Sequence, residues 1–189
     1  MALYTGKGDG GTTKAFDSKE RIPKSAPLPE CLGTLDEVNS FIGLAKARAR
    51  THPEFSMLVG KKRRPAVEVL RAVQETLFIV QAEVAGAKKK VSKKKVTDIE
   101  AIIHAIEAVI PPVTSFSIAG GTELSAILDV SRTLARRAER RVVGLHEASI
   151  RSVSAHTLAY LNRLSSLLFA LARLANHQSG VREENPSYR

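Results

Sequence analysis

The 189-residue chain contains one cysteine, no tryptophan and few aromatic side chains, three Tyr and six Phe. A lone thiol, Cys31, forms no intrachain disulfide, and no Cys/His pair falls at zinc spacing. A disulfide framework and a structural zinc site are therefore not expected, and a reducing cytoplasm is. The longest unbroken apolar run, Leu167 to Ala172, is far short of the roughly 20 residues that a membrane span needs. The N-terminus carries no apolar signal region, so no membrane association is expected. His52, His104, His146, His156 and His177 make no HxxxH or HExxH pattern, which argues against a protein-held catalytic metal. No nucleophile elbow introduces a Ser/His/Asp triad. Acidic charge is the scarcer sign, 19 Asp and Glu against 29 Lys and Arg. The net charge of +10 points to an anionic partner without saying which.

What is present suffices for a core. Hydrophobic residues make up 43% of the chain and charged residues 25%, which fits one compact domain and excludes a disordered tail protein. Residues 1–30 are rich in Gly, Lys, Thr and Pro and lack apolar periodicity, so they read as a loop segment. Thr34 and Glu37 match a capping box, and Leu35, Val38, Ile42 and Ala45 or Lys46 follow at helical spacing, predicting a first helix from about Cys31 to Arg50. Pro65 suits the first turn of a second helix reaching Gly86. Lys88 to Lys95, six lysines in eight residues, reads as a solvated connector. Thr97 and Glu100 form another capping box for a third helix ending at Pro111-Pro112. An extended piece, Val113 to Gly121, leads to a fourth helix from about Thr122 to Leu145. A fifth runs from about Ser152 to Gln178, with Gly180 as its C-terminal cap. With almost no strand signal, the expectation is an all-α fold: a five-helix bundle over 31–180, the loop segment before it and a tail at 181–189, in a single domain.

Several residue groups are candidates for chemistry. In Tyr4-Thr5-Gly6-Lys7-Gly8-Asp9-Gly10-Gly11-Thr12-Thr13-Lys14 the glycines free the backbone to wrap a polyphosphate through its N–H groups, although the spacing is not that of a Walker A loop. The same stretch also reads as a flexible basic N-terminus. Arg132, Arg136 and Arg140 repeat at i to i+4 in the fourth helix, with Arg137, Glu139 and Arg141 interleaved. Each like-charge pair of this kind costs an isolated helix about 0.2–0.5 kcal/mol, so the row invites a triphosphate or an acidic partner surface, a solvated basic face being the alternative. Asn162-Arg163, beside the apolar stripe of the fifth helix, suits either a hydrogen bond to another helix or a ligand contact. Asp36 and Glu37 near the start of the first helix are explained by its dipole alone. Phe116 reads as an ordinary core anchor.

In order along nearly the whole chain, YTGKGDGGTT, GTLDEVNSFIG, SFSIAGGTELS, SRTLARRAERRVV and YLNRLSSLLFALARLAN resemble the motifs of the PduO-type ATP:cob(I)alamin adenosyltransferases. The resemblance implies a homotrimer with ATP bound at each subunit interface, between the N-terminal loop of one chain and the fourth helix of a neighbour. Carried over by motif position, Thr5, Gly8, Asp9, Gly11, Thr12 and Thr13 shape the nucleotide loop, and Lys24 reaches the phosphates. Arg136, Arg137, Glu139 and Arg140 complete the ATP site, with Asn162 helping to hold the nucleotide. Asp36 pairs with Arg132 across the subunit boundary, and Phe116 lies on the cobalamin side, displacing the lower axial base. The implied reaction joins a cobalt(I) nucleophile to the 5′ carbon of ATP and releases tripolyphosphate, with Mg²⁺ accompanying the nucleotide. Arg136, Arg132 and Asp36 are the implied catalytic set. A reductase or an adenosylcobalamin-dependent enzyme is the implied protein partner.

Three positions depart from the family pattern. Gly6 stands where a basic residue usually follows the loop Thr, Ser166 where many members have Asp, and Ile118-Ala119 where Leu-Pro is common. Gly6 and Ser166 motivate an alternative, an ATP- or corrinoid-binding carrier or sensor with weak or no transfer. A nucleic-acid-binding protein, prompted by the charge and by Lys88 to Lys95, ranks last, because no aromatic side chain is interleaved with those lysines.

Overall fold

The computed structural model describes residues 2–189. In chain order its elements are β1 Thr12–Lys14, β2 Arg21–Pro23, α1 Pro27–Ala49, β3 Ser56–Val59, β4 Lys62–Pro65, α2 Ala66–Val84, α3 Lys93–Glu107, α4 Glu123–Glu147 and α5 Ala155–Gln178. Five helices form the body, as their apolar periods predict. The all-α expectation omits two antiparallel hairpins, β1–β2 and β3–β4. Their strands are only three or four residues long, too short to display a period-2 pattern. In β3–β4, Val59 pairs with Lys62, and Gly60 at φ +60° takes the first corner, where a type II′ turn selects glycine.

Both capping boxes are corrected by the structure. Helix α1 starts at Pro27, with proline in the first turn where its missing N–H costs nothing. Thr34 thus lies inside the helix, its hydroxyl donating to Glu30 O at 2.8 Å. Helix α3 likewise starts before Thr97, whose hydroxyl donates to Lys94 O at 3.0 Å. Lys93, Lys94 and Lys95 form its first turn, so the lysine run is loop only in its first half. Cations at a helix N-terminus oppose the dipole, which is why the run reads as loop. Lys94 offsets part of that cost by pairing with Asp98 at 2.8 Å. Pro65 is the residue before α2 rather than its first turn. Thr122 does cap α4, accepting from Ser125 N at 3.1 Å.

Helices α1 and α4 bury matching stripes. Leu28, Cys31, Leu35, Val38, Ile42, Ala45 and Ala49 line α1, and Leu124, Leu128, Ser131, Ala135, Ala138, Val142 and Leu145 line α4. Both alternate steps of three and four, the seam of closely aligned helices. Small residues at the middle of the α4 stripe let its neighbours approach. Helix α4 packs against both α1 and α5, α2 against α1, and α3 against α5. Helix α5 is buried nearly all round, from Tyr160 and Leu161 to Leu174 and Ala175, as expected of a central helix. Its N-terminus receives the buried carboxylate of Glu83, which accepts from Ser154 N at 2.7 Å and from the Thr157 hydroxyl at 2.5 Å, an anion placed at the positive end of a helix. The α4–α5 contact holds the residues of interest in register.

Candidate functional site

The arginines of α4 separate according to the partners they find. Arg132 Nε donates to Asp129 Oδ1 at 3.1 Å, Arg137 pairs with Glu37 on α1, and Arg141 lies 3.7 Å from Glu30. Among the described residues, Arg136 and Arg140 have no carboxylate partner. These two line a shallow groove of about 350 Å³ with Glu139, Val143, Gly144, Glu147 and Asn162. Arg137 points to α1, and within one chain the structure does not bring it into this groove. Asn162 makes the hydrogen bond to another helix that one reading of its position expects. Its amide Nδ2 donates to Glu139 Oε1 at 2.9 Å and its Oδ1 accepts from Arg163 Nη1 at 2.5 Å, while Arg163 is held by Glu100 on α3 at 3.1 Å. An amide gripped at both ends, beside two unpaired guanidiniums, is a preorganised edge for a phosphate-bearing ligand.

A second recess, about 370 Å³, lies along the same helix pair and is lined by Val113, Ser115, Phe116, Ser117, Arg132, Arg136, Ser165, Ser166 and Phe169. Arg136 belongs to both. Phe116 is 79% exposed, which corrects its reading as a core anchor. Phe169 forms the floor, with the Arg132 guanidinium 5.8 Å from its ring centroid and that of Arg173 5.9 Å away. The loop carrying Phe116 is tied down at its far end. Gly120 O accepts from the Ser125 hydroxyl and from Asn176 Nδ2, both at 2.9 Å. Ile118 N donates to Glu184 O at 2.8 Å, and the tail that supplies Glu184 is anchored by the Arg173–Glu183 pair at 2.8 Å.

Sequence reasoning missed Asp129 and Asn176. Asp129 lies three residues before Arg132 in a helix, and that spacing is the signal that finds it. Asn176 reaches a turn more than fifty residues away, and no local pattern marks it.

The N-terminal loop stands apart from the arginine groove. Gly6 and Gly11 adopt φ of +67° and +73°, and tight turns close through Asp9 N to Gly6 O and Gly11 N to Gly8 O, both at 3.1 Å. Thr12 and Thr13 enter β1, while Thr5, Asp9 and Lys24 are exposed. A Cβ on Gly8 would stand 3.1 Å from Lys24 Nζ, so the missing side chain makes room for the ammonium. Among the described residues, no hydrogen bond or ion pair joins Thr5–Thr13 to Arg136, Glu139, Arg140 or Asn162 of the same chain. Asp36 is exposed and has no ion-pair partner among the described residues.

The base of the loop is latched to the bundle by Asp17, whose carboxylate receives Arg151 Nη1 and Nη2 at 2.8 and 2.6 Å. Gly86, at φ +101°, leaves the space for it: a Cβ there would lie 2.5 Å from the Asp17 carboxyl carbon. The Arg151 hydrogen bonds hold the Asp17 carboxyl below its ordinary value near 3.8. The folded state therefore favours the ionised form. Its contribution is complete above the unfolded value and disappears as pH falls through the lowered folded value. Asp17→Asn is expected to raise amide exchange over residues 4–24 at neutral pH while sparing the helices. Acidification through the lowered Asp17 value should bring the parent protein's protection, after correction for the slower intrinsic exchange at acid pH, to that of the variant, as deuterium uptake resolved by peptide will show.

Among the described residues no three His, Cys, Asp or Glu side chains gather where they could hold a metal ion. Burial pushes the Cys31 thiol up to about 12, so it is no nucleophile at neutral pH. None of the described helices is long and apolar enough to cross a membrane. What lines the two recesses is cations, an amide and aromatic rings.

This arrangement of five helices and cationic groove defines a class. The chain matches the family model for cobalamin adenosyltransferase over residues 3–175. It is 37% identical over 187 residues to the corrinoid adenosyltransferase PduO of Citrobacter freundii, covering 95% of this chain and 51% of that protein. It is 36% identical over 185 residues to the corrinoid adenosyltransferase of Bacillus subtilis, covering 96% of this chain and 90% of that one. The chain thus spans about half the length of the Citrobacter relative and most of the Bacillus one. A variant PduO-type ATP:corrinoid adenosyltransferase from Lactobacillus reuteri, complexed with cobalamin and ATP, shares the fold with a TM-score of 0.83 at 28% identity, covering 98% of this chain and 99% of that chain. The protein belongs to the cobalamin adenosyltransferase family.

Proposed function

We propose that the protein transfers the 5′-deoxyadenosyl group of ATP to the cobalt of reduced cob(I)alamin, forming adenosylcobalamin and releasing tripolyphosphate. The observation that carries this reading is the position of Arg136, unpaired and shared between a groove suited to phosphates and a recess walled by Phe116 and Phe169. In the reaction the cobalt(I) electron pair attacks the 5′ carbon, the Co–C bond forms as the C5′–O bond breaks, and the leaving tripolyphosphate keeps the bonding electrons. Cobalt(I) becomes cobalt(III), so no protein acid or base is needed. What the chain contributes is orientation of the two reactants and stabilisation of charge on the departing phosphates by Arg136, Arg140, Lys24 and the loop amides. Mg²⁺ would accompany the triphosphate and supply positive charge against it, and Glu139 and Glu147, the carboxylates lining the groove, would be the residues to hold it.

The site is composite in this reading. The glycine loop and the arginine groove do not meet within one chain, so the loop of one subunit covers the groove of the next in a homotrimer, with Arg137 and Asp36 engaged at that boundary and Asp36 facing a neighbour's Arg132. Phe41, Leu44 and Phe78 are exposed on α1 and α2, apolar surface that self-association buries. The +10 surface accommodates an acidic reductase as electron donor. A carrier or sensor without transfer is less favoured, because the named relatives are transferases.

The deciding experiment is an anaerobic absorbance assay of reduced cobalamin with MgATP. Catalytic loss of the cobalt(I) band with ATP-dependent appearance of adenosylcobalamin is expected, and ATP binding without product would favour the carrier. Sedimentation equilibrium should give three times the chain mass, and an active monomer would overturn the composite site.

A further inference from the structure

Two cations of the N-terminal hairpin, Arg21 and Lys24, lie close to the glycine loop and are used differently. Arg21 turns back along the hairpin. Its Nε donates to Thr12 Oγ1 at 2.8 Å, and its Nη2 donates to Thr12 O at 2.8 Å and to Lys7 O at 2.5 Å. Three of the five guanidinium donors are engaged by the loop itself. Lys24 is joined to the loop only through its backbone, N to Gly11 O at 2.9 Å. Its ammonium lies against Gly8 and has no hydrogen-bond partner among the described residues.

The Lys7 contact has a directional consequence. In a trans peptide the C=O and the following N–H point opposite ways. Holding Lys7 O against Arg21 therefore aims the Gly8 N–H away from the hairpin, and this amide donates to no group among the described residues. A free amide and a free ammonium then coincide at one residue, the arrangement of a small anion nest. Gly8 and its neighbours are conformationally permissive, so without the clamp the Lys7–Gly8 peptide is free to rotate.

We propose that Arg21 is a positioning residue for the triphosphate: it clamps the carbonyls of Lys7 and Thr12 so that the Gly8 amide and the Lys24 ammonium present one phosphate seat. Arg21 touches the loop rather than the substrate. This rests on the reading of the loop as a nucleotide site given above.

The test compares Arg21→Ala, Arg21→Lys and Lys24→Ala in the full chain, by deuterium uptake without nucleotide, MgATP binding by calorimetry and the corrinoid KM. Arg21→Ala is expected to speed exchange over residues 4–14 in the nucleotide-free protein, to weaken MgATP binding roughly 10-fold, and to leave the corrinoid KM unchanged. Arg21→Lys should behave like Ala, because one ammonium cannot reproduce the fork. Lys24→Ala should weaken MgATP equally while leaving nucleotide-free exchange at the parent level. Unchanged exchange in Arg21→Ala with weakened binding would make Arg21 a direct phosphate ligand and overturn the proposal. So would unchanged MgATP binding, or faster exchange spread through α1–α5. A parent protein that binds no MgATP would instead refute the nucleotide reading of the loop.

Discussion

Replacing Arg136 with alanine is expected to lower kcat by about 100-fold or more while leaving the fold intact, the magnitude typical of deleting one preorganised charge donor. The side chain is exposed, has no intrachain ion pair and stands on a helix whose packing comes from Ala135, Ala138 and Val142. Its removal leaves no orphaned partner, so unfolding stability should change by no more than about 0.5 kcal/mol. The two results separate catalysis from folding. Arg136→Lys should recover little, because a planar fork touching two recesses is not replaced by a point charge. Initial rates from the anaerobic absorbance assay, with melting curves alongside, check this. Undiminished turnover would remove Arg136 from the site.

Gly121→Ala should have the largest effect on stability, although residue 121 touches neither recess. Gly121 sits at φ +102°, and a Cβ there would stand 2.6 Å from Asn176 Oδ1. That amide accepts from Thr122 N at 3.0 Å and donates to Gly120 O at 2.9 Å, joining the start of α4 to the far end of α5. Alanine displaces it, leaving the buried Asn176 amide unpaired at about 1–3 kcal/mol, and adds about 1–2 kcal/mol of left-handed strain. A total near 3–4 kcal/mol should lower the melting midpoint by roughly 6–16 °C at this chain length. Calorimetry measures it, and the corrinoid KM should rise because the Phe116 loop ends at this turn. A variant melting like its parent would show that the turn adapts.

The helices were legible because their burial is periodic: Leu35, Val38, Ile42 and Ala45 all fall on the buried stripe of α1. Their starts were less so. Thr34 and Thr97 have the spacing of caps, yet the helices begin upstream, where Pro27 and Ser92 are the true boundary signals. The hairpins escaped because strands of three or four residues carry no pattern. Within the site, the arginine row was visible at i to i+4, but which members stay unpaired was not. That depends on Glu30 and Glu37 of α1 facing Arg141 and Arg137, a tertiary fact about a hundred residues removed. The latch from Asp17 to Arg151 and the reach of Asn176 are long-range for the same reason. The departure at Ser166 acquires a place, since it lines the recess with Phe116 and Arg132.

Arg136 is a wall common to two compartments, and this gives their occupants a route by which to influence one another. A ligand in the phosphate groove that draws the guanidinium toward itself changes the shape and field of the aromatic recess. By linkage, whatever factor nucleotide exerts on corrinoid affinity, corrinoid must exert on nucleotide affinity. Neither compartment can be tuned by selection in isolation: a substitution that reorients this one side chain alters the order of loading as well as the strength of either encounter.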